Sequence, residues 1–239
     1  MKKLKQQAPS LALQKVKPKF PVYNLLKIDV RETTIDEVMP THLYFYVDSR
    51  FTPAQLSRIR LILMQAVFFW SDYYEQMDNK GTSDLAKNVN LYARFNLSPV
   101  AIDEKLANGR VATDVMMSII TQIFQSNGFQ RAGKSYIKYK IPAKGTKKHF
   151  TISAVDGGED LEQATLTVTI NPQSLDRKDL GDVTLTGSLF HAWLHRIGYR
   201  HPASKYTSYF MVEAALSIMR ATADKTSGTK DSLFIKYLD

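Results

Sequence analysis

The chain has 239 residues, of which 44% are hydrophobic and 23% are charged, and this composition is ordinary for a globular domain. It has no cysteine, which excludes disulfides and thiolate metal ligands, so any transition-metal site must use His, Asp or Glu. No apolar run approaches the roughly 20 residues of a membrane-spanning helix, and we expect no membrane span.

The net charge of +9 is concentrated near the N-terminus. Residues 1–19 contain six lysines and no acidic residue, and the rest of the chain is close to neutral. We interpret residues 1–35 as a basic flexible leader and residues 36–239 as a single domain. The leader could direct the protein to acidic partners. The body shows no nucleic-acid motif, so we expect no nucleic-acid binding.

The leader also bears on location. It begins Met-Lys-Lys-Leu-Lys, but polar residues and a proline replace the apolar stretch that a signal peptide needs. We therefore expect a cytoplasmic protein, or one exported without a cleaved signal peptide. Nothing in the sequence indicates an oligomeric state.

The first half of the domain predicts a strand, a long helix and a second strand. Residues 41–48 are rich in aromatic and β-branched residues, as is typical of a buried strand. Residues 52–55, Thr-Pro-Ala-Gln, form a capping box, and the helix that follows continues to about Met77 with apolar residues at three- and four-residue steps. Residues 89–95 alternate between apolar and polar types, which predicts the second strand.

The second half predicts a helix, three extended segments and a further helix. These are residues 112–125, 134–141, 149–155, 164–170 and a helix that begins near Val183. Turn residues separate them: Asn127-Gly128 after the first helix, Gly157-Gly158 after the second extended segment and Asn171-Pro172 after the third. The order of elements indicates an α/β or α+β layered fold.

Three of the five histidines lie within residues 191–201, His-Ala-Trp-Leu-His-Arg-Ile-Gly-Tyr-Arg-His. Residues four apart on a helix stack on one face, about 5–6 Å apart at Cβ, so His191 and His195 can reach one metal ion. Gly198 can end the helix in a left-handed conformation and turn the chain so that His201 swings back. Three neutral imidazoles leave an open position on tetrahedral Zn²⁺. The alternative is three surface histidines without a metal.

This segment resembles the extended zinc motif of the metzincin metallopeptidases, His-Glu-x-x-His-x-x-Gly-x-x-His. It matches that motif at His191, His195, Gly198 and His201, and it departs from it at Ala192. The resemblance implies an α+β fold with a twisted mixed sheet and two long helices, the second of which carries the zinc ligands. It also implies a zinc-dependent endopeptidase that acts on a protein or peptide substrate.

Ala192 stands where the motif has its catalytic glutamate. In the family that glutamate takes a proton from the attacking water and passes it to the leaving amine, which alanine cannot do. The chain as given is therefore expected to be nearly inactive. Two explanations stay open: an engineered Glu-to-Ala change, which we favour because the ligands and the glycine are intact, and a natural zinc-binding pseudoprotease that binds peptides or proteins.

The resemblance also implies a methionine turn beneath the zinc, for which Met211 is the candidate. Residues 209–221 read equally as an amphipathic helix, in which Met211 would be a packing residue. A tyrosine reaches the metal or an oxyanion in some relatives, and Tyr206 and Tyr209 are the candidates for this role.

Overall fold

The computed structural model describes residues 21–35, 37–130, 134–144, 150–155, 161 and 164–238. Leader residues 1–20, loop residues 145–149 and the predicted turn at Gly157-Gly158 lie outside these ranges. The described residues form a mixed α+β fold in which helices pack around a five-stranded sheet. Among them, no helix combines the length and apolar character needed to cross a membrane.

The sheet is mixed, as predicted. Its strands are β1 (Tyr23–Asp29), β2 (His42–Asp48), β3 (Ser135–Tyr139), β4 (Ile152–Ala154) and β5 (Val168–Ile170). Their spatial order is β1-β2-β3-β5-β4. The central strands β2, β3 and β5 run parallel, and the two edge strands β1 and β4 are antiparallel to their neighbours. Helix α5, described below, contacts the β4 edge of the sheet.

The predicted leader extends too far, because strand β1 lies within residues 1–35. β1 pairs with β2 along its whole length, from Tyr23 opposite Asp48 to Asp29 opposite His42. Leu26 and Ile28 are buried, while the residues on either side of each are exposed. This alternation is typical of a half-buried strand, and the charge of the preceding lysines obscured it.

The helices are α1 (Pro53–Lys80), α2 (Asp84–Tyr92), α3 (Gly109–Gln125), α4 (Pro172–Asp176), α5 (Asp182–Arg196) and α6 (Phe210–Met219). A π-helical turn, Ser126–Gln130, continues α3 through the predicted stop. The capping box of α1 is confirmed: the Thr52 hydroxyl accepts the Gln55 N–H, and the Gln55 side chain accepts the Thr52 N–H. Two short 3₁₀ turns, Asp231–Leu233 and Ile235–Tyr237, follow α6.

The strand predicted at residues 89–95 is wrong, because most of this segment belongs to α2. The Ser83 hydroxyl accepts the Ala86 N–H and caps the helix. Leu85, Ala86 and Val89 then bury one face at helical spacing. A short alternating run fits both periods, and here the N-cap serine and the packing of α2 against α3 and α6 favour the helix.

The predicted strand 164–170 is paired as a strand only at Val168–Ile170. Just before Val168, side-chain hydroxyls instead of backbone carbonyls accept the hydrogen bonds between this segment and β3. The Thr167 hydroxyl accepts the Tyr136 N–H at 3.0 Å, and the Ser135 hydroxyl accepts the Leu166 N–H at 3.1 Å. The Leu166 carbonyl is thereby available to accept a hydrogen bond from α5.

Helix α5 lies in the interior, in contact with α1, α6, β4 and β5. Gly187 marks its closest approach to α6. A Cβ placed on Gly187 would lie 2.8 Å from the Ala215 carbonyl oxygen and 2.3 Å from the Met219 Cγ. The absence of a side chain at Gly187 therefore lets the two helices pack closely.

We predict that Gly187→Ala lowers the free energy of unfolding by about 1–3 kcal/mol, because α6 backbone must move to admit the methyl group. The measurement is urea denaturation followed by circular dichroism. Gly181→Ala is the matched control, since only the Thr184 hydroxyl lies near its Cβ position, at 4.0 Å. We expect that control to change stability by less than about 1 kcal/mol. Equal effects of the two substitutions would contradict the close packing.

Candidate metal centre

Helix α5 carries the first two histidines and is held to the sheet on its other sides. Phe190, Trp193 and Leu194 are fully buried. The Trp193 indole N–H donates to the Leu166 carbonyl at 3.1 Å. A helix anchored by both packing and a directional bond presents its histidines in a defined orientation.

The turn after α5 forms as predicted. Gly198 has a φ of 95°, in the left-handed region that favours glycine. The Tyr199 N–H donates to the Leu194 carbonyl at 2.9 Å, and the Gly198 N–H donates to the His195 carbonyl at 3.2 Å. This pair of bonds is a Schellman motif, which ends a helix and reverses the chain.

Three further bonds hold the returning segment in place. The Val100 N–H donates to the Gly198 carbonyl at 2.9 Å. The Asn96 amide donates to the Arg200 carbonyl, and the Arg200 guanidinium donates to the His195 carbonyl, both at 2.8 Å. The segment that leads to His201 is therefore tied to α5 and to the loop after α2.

The three histidines converge on one point. One ring nitrogen from each of His191, His195 and His201 lies within 4.8 Å of the other two. The Nε2 atoms of His191 and His201 are 3.3 Å apart. A tetrahedral ion with ligands at about 2.0–2.1 Å separates its nitrogens by roughly 3.3 Å, so this pair already fits and the others need only small side-chain rotations. The three histidines are thus positioned to bind a metal ion.

A second contact of His201 indicates which of its nitrogens would face a metal ion. Its Nδ1 lies 3.0 Å from the Pro202 carbonyl oxygen. A carbonyl can only accept, so Nδ1 carries the proton and Nε2 of the neutral ring keeps its lone pair. Metal-ligating histidines are commonly oriented by such a backbone carbonyl.

The candidate centre opens into a cavity of about 750 Å³. His191 is fully buried, whereas His195 and His201 are partly exposed and line the cavity. An ion held by the three rings would therefore have its open coordination position toward this space. The cavity is lined by Phe150, Thr151, Asn171, Gln173, Ser174, Arg177, His195, His201, Ala203, Ser204, Tyr206, Lys236 and Tyr237.

Both candidate tyrosines lie near His201, at different distances. The Tyr206 ring is 5.4 Å from the His201 ring, centroid to centroid, and Tyr206 lines the cavity. The Tyr209 ring is 6.4 Å from the same ring and packs against Phe95 at 5.4 Å. Tyr206 is thus better placed than Tyr209 to contact a ligand in the cavity.

Met211 does not form a methionine turn. It is the second residue of α6 and is fully buried in the hydrophobic core. The helix begins at Phe210 because the Phe210 N–H pairs with the Phe95 carbonyl and the Glu213 N–H pairs with the Tyr209 carbonyl. Met211 is therefore a packing residue, the alternative that the sequence left open.

Ala192 is next to the first ligand but does not line the cavity. Its side chain is only 1% exposed. On the helix it precedes His195 by three residues, so the two share a face. Ser188, one turn earlier, donates its hydroxyl proton to the Tyr237 carbonyl at 2.5 Å. Position 192 is thus buried, one turn after the residue through which α5 contacts the chain around Tyr237.

A buried carboxylate holds the loop that carries the tyrosines. Glu213 on α6 is 1% exposed, and it accepts the Ser208 N–H at 3.0 Å and the Lys225 ammonium at 3.1 Å. Lys225 also pairs with Asp231 at 2.6 Å. Burial alone lowers the pKa of Lys225, but its bonds to Asp231 and Glu213 outweigh burial, and the pKa is raised above its usual value.

We predict that Glu213→Ala lowers the free energy of unfolding by about 3 kcal/mol, because it removes one partner of a buried ion pair. Glu213→Gln is expected to cost less, since its amide oxygen can still accept the Ser208 N–H. The measurement is urea denaturation of both variants. An alanine variant as stable as the glutamine variant would show that the Ser208 bond contributes nothing.

Sequence reasoning missed three residues that line the cavity together with His195 and His201. Arg177 follows α4, whereas Lys236 and Tyr237 lie near the end of the described chain. A sequence signal existed only near Arg177, where the Asn171-Pro172 turn precedes α4 and Asn171 caps this helix. No periodicity connects residues that converge from such distant segments.

Comparison of the chain with family models, with curated proteins and with solved structures found no match in any of the three. The site is therefore described by its own geometry. Three histidines from one helix and the turn after it are positioned to bind a metal ion at the side of a large polar cavity.

Proposed function

We propose that this chain has the scaffold of a zinc endopeptidase, binds one Zn²⁺ ion through His191, His195 and His201, and in its present form binds a polypeptide without cutting it. The observation that carries the proposal is the convergence of three imidazole nitrogens within 4.8 Å beside an open cavity. Structural zinc sites are closed by four protein ligands, whereas three ligands and an open position are typical of catalytic ones.

The donor set favours zinc among the transition metals. All three ligands are imidazoles, which suit Zn²⁺, Cu²⁺, Ni²⁺ and Fe²⁺, and hard cations such as Mg²⁺ prefer oxygen. Three imidazoles and one open position would complete a tetrahedron, the geometry that Zn²⁺ adopts most readily. The equatorial ligand sets of tetragonal Cu²⁺ or Ni²⁺ sites are a poorer fit to one helix and its return turn.

The cavity offers an extended polypeptide a sheet edge. Within the described part of the chain, strand β4 pairs with β5 on one side only and forms the edge of the sheet. Phe150 and Thr151, immediately before β4, line the cavity together with His195. A peptide could therefore add to this edge through backbone hydrogen bonds and pass the metal site. This arrangement supports a polypeptide as the ligand.

The missing group is a proton carrier at position 192. A bound zinc ion would polarise the scissile carbonyl and lower the pKa of water. A glutamate at position 192, on the same helical face as His195, would accept the water proton on its carboxylate and give it to the departing amine. Ala192 has no such group, so the chain keeps the binding elements and lacks the proton transfer.

A second candidate is a natural metal-dependent peptide-binding protein. The packing of Ala192 favours this alternative, because its methyl group is buried and does not line the cavity. A longer side chain at this position must reach the cavity past its neighbours. In this alternative the metal would orient a ligand and no hydrolysis would be restored by a single substitution.

One set of measurements tests both candidates. Zinc content by metal analysis and cleavage of a mixed protein pool are compared for the chain as given, for Ala192→Glu and for the triple His→Ala variant. About one zinc per chain in the first two and cleavage only by Ala192→Glu support the endopeptidase. Zinc without cleavage supports the binding protein, and equal zinc content of all three variants excludes the site.

A further inference from the structure

Two cations stand beside one tyrosine on the cavity wall, and we call Arg177, Lys236 and Tyr237 the cationic wall. The Arg177 guanidinium carbon lies 5.4 Å from the centre of the Tyr237 ring, and the Lys236 ammonium nitrogen lies 5.0 Å from it. All three residues line the same cavity as His195 and His201. The histidines and the cationic wall therefore face one common space.

The position of the cationic wall is fixed by Tyr237. Its carbonyl accepts the Ser188 hydroxyl of α5 at 2.5 Å, and its side chain is 8% exposed. Leu238, the next residue, is fully buried. A ring held in this way is a rigid support for the two cations, which lose less conformational freedom on binding than unsupported side chains.

Arg177 is oriented by its partners and keeps one donor group for a ligand. Its Nε and Nη2 donate to Asp179 at 3.1 and 2.5 Å, and its Nη2 lies 3.4 Å from the Tyr237 hydroxyl. The Arg177 hydrogen bond holds the pKa of Asp179 below its usual value. Nη1 donates to no described residue, so this side of the fork can take a carboxylate.

Among the residues that the structure describes, the charged side chains lining the cavity have one sign. Its described lining residues include Arg177 and Lys236 but no aspartate or glutamate. Asp179 does not line the cavity and offsets one of the two charges. Metal binding by three neutral imidazoles would add its full double charge to the same space. Charges of one sign in a cleft focus the field and attract the opposite charge.

We propose that the polypeptide that binds in this cavity is acidic and places a carboxylate between Arg177 and Lys236 while its backbone passes the histidines. The inference rests on the proposed function for the peptide nature of the ligand, and the cationic wall defines its charge. A cavity of about 750 Å³ is within the upper range of ligand sites and admits more than a single side chain. The carboxylate is a Glu or Asp side chain or a chain terminus.

The test is binding of fluorescent decapeptides to the full chain with one equivalent of zinc, measured by anisotropy. The peptides share a neutral sequence and differ at one central position, Glu, Gln or Lys, with an amidated C-terminus. A fourth peptide has Gln at this position and a free carboxylate end. The Glu peptide is expected to bind roughly threefold to tenfold tighter than the Gln peptide, and the Lys peptide weaker than both.

Substitutions in the cationic wall and at the neighbouring Asp179 are expected to change the preference for the Glu peptide in opposite directions. Arg177→Gln and Lys236→Gln are each expected to weaken Glu-peptide binding roughly twofold to fivefold, with little effect on the Gln peptide. Asp179→Asn is expected to strengthen it, because the guanidinium then keeps its whole charge for the ligand. Arg31→Gln is the matched control, since exposed Arg31 lines a separate groove against α1.

The outcomes separate this inference from the proposed function. If the protein binds zinc but has equal affinity for the Glu and Gln peptides, the proposal of an acidic ligand is overturned and the metal site is unaffected. A second outcome is that the unsubstituted chain binds no zinc but still prefers the Glu peptide, and that Arg177→Gln loses this preference. This outcome supports the cationic wall and overturns the proposed function. Tight binding of the fourth peptide alone assigns the carboxylate to a chain terminus. Weaker Glu-peptide binding by Asp179→Asn contradicts the proposal.

Discussion

Zinc is expected to raise the midpoint of thermal unfolding by roughly 5–10 °C, and His195→Ala is expected to abolish this gain. A ligand present at 100 times its Kd stabilises the folded state by about 2.7 kcal/mol. In a protein of this size, about 1 kcal/mol shifts the midpoint by roughly 2–4 °C. His195 is partly exposed at the cavity, so its removal affects the metal more than the packing.

His191→Ala should differ from His195→Ala in the metal-free protein. The His191 ring is fully buried, so its loss leaves a cavity in the core as well as an incomplete metal site. We therefore expect His191→Ala to lower the metal-free unfolding midpoint, and His195→Ala to leave it nearly unchanged. Differential scanning fluorimetry with a chelator and with added zinc measures both effects.

His42→Ala is the control for nonspecific zinc binding. His42 lies in strand β2, where its ring is 3.3 Å from Asp29, and it is not part of the histidine cluster. The His42 variant should keep the whole zinc-dependent shift. A shift of the same size in His195→Ala would rule out His195 as a ligand.

Ala192→Glu is expected to raise the rate of peptide hydrolysis by about 10²–10⁴-fold in the zinc-loaded protein. This range is the usual contribution of a positioned general acid–base group. The carboxylate would start from a buried position, on the face that also carries His195. The measurement is cleavage of unstructured protein substrates, read by mass spectrometry of the new termini.

Ala192→Gln is the matched variant, because it has the size and shape of glutamate and no basic carboxylate. We expect it to bind zinc and remain as slow as the chain with Ala192. Zinc content is measured on the same samples so that a loss of metal is not read as a loss of the base. Equal rates of the Glu and Gln variants would contradict proton transfer at position 192.

The histidine centre could be predicted because its three histidines and its turn glycine lie within eleven consecutive residues. Helical periodicity aligns His191 with His195, and Gly198 supplies a left-handed turn that few other residues adopt. The structure adds the Schellman bonds and the 3.3 Å approach of His201 to His191. The bonds from Val100 and Asn96 that hold the segment before His201 come from a distant part of the chain, and no local pattern predicts them.

The strand errors have a different cause. Residues 89–95 alternate in polarity as a strand does, yet the N-cap at Ser83 and the packing against α3 and α6 make them mostly helical. Residues 23–29 form β1, and Lys27 within it resembles the lysines of the leader. A short segment satisfies two periodicities equally well, and only its neighbours in space decide between them.

At the site, Met211 and Ala192 also separate what the sequence predicts from what only the tertiary structure decides. The spacing from His201 made Met211 a candidate for a methionine turn. In the structure, the backbone bonds of Phe95 with Ser208 and Phe210 start α6 at Phe210, and Met211 is buried in this helix. The identity of Ala192 predicts the loss of the base. Its burial depends on the tertiary structure.

The sequence by itself determined the spacing of the three histidines, the turn at Gly198 and the capped long helix, because backbone conformation and helical spacing are local properties. The tertiary structure alone decided which residues enclose the cavity and what charge it carries. Arg177 and Lys236 come from segments about sixty residues apart, and they meet because Arg58 holds the loop after α4 while Ser188 holds Tyr237. Such convergence follows from burial of a common core, which no local pattern records.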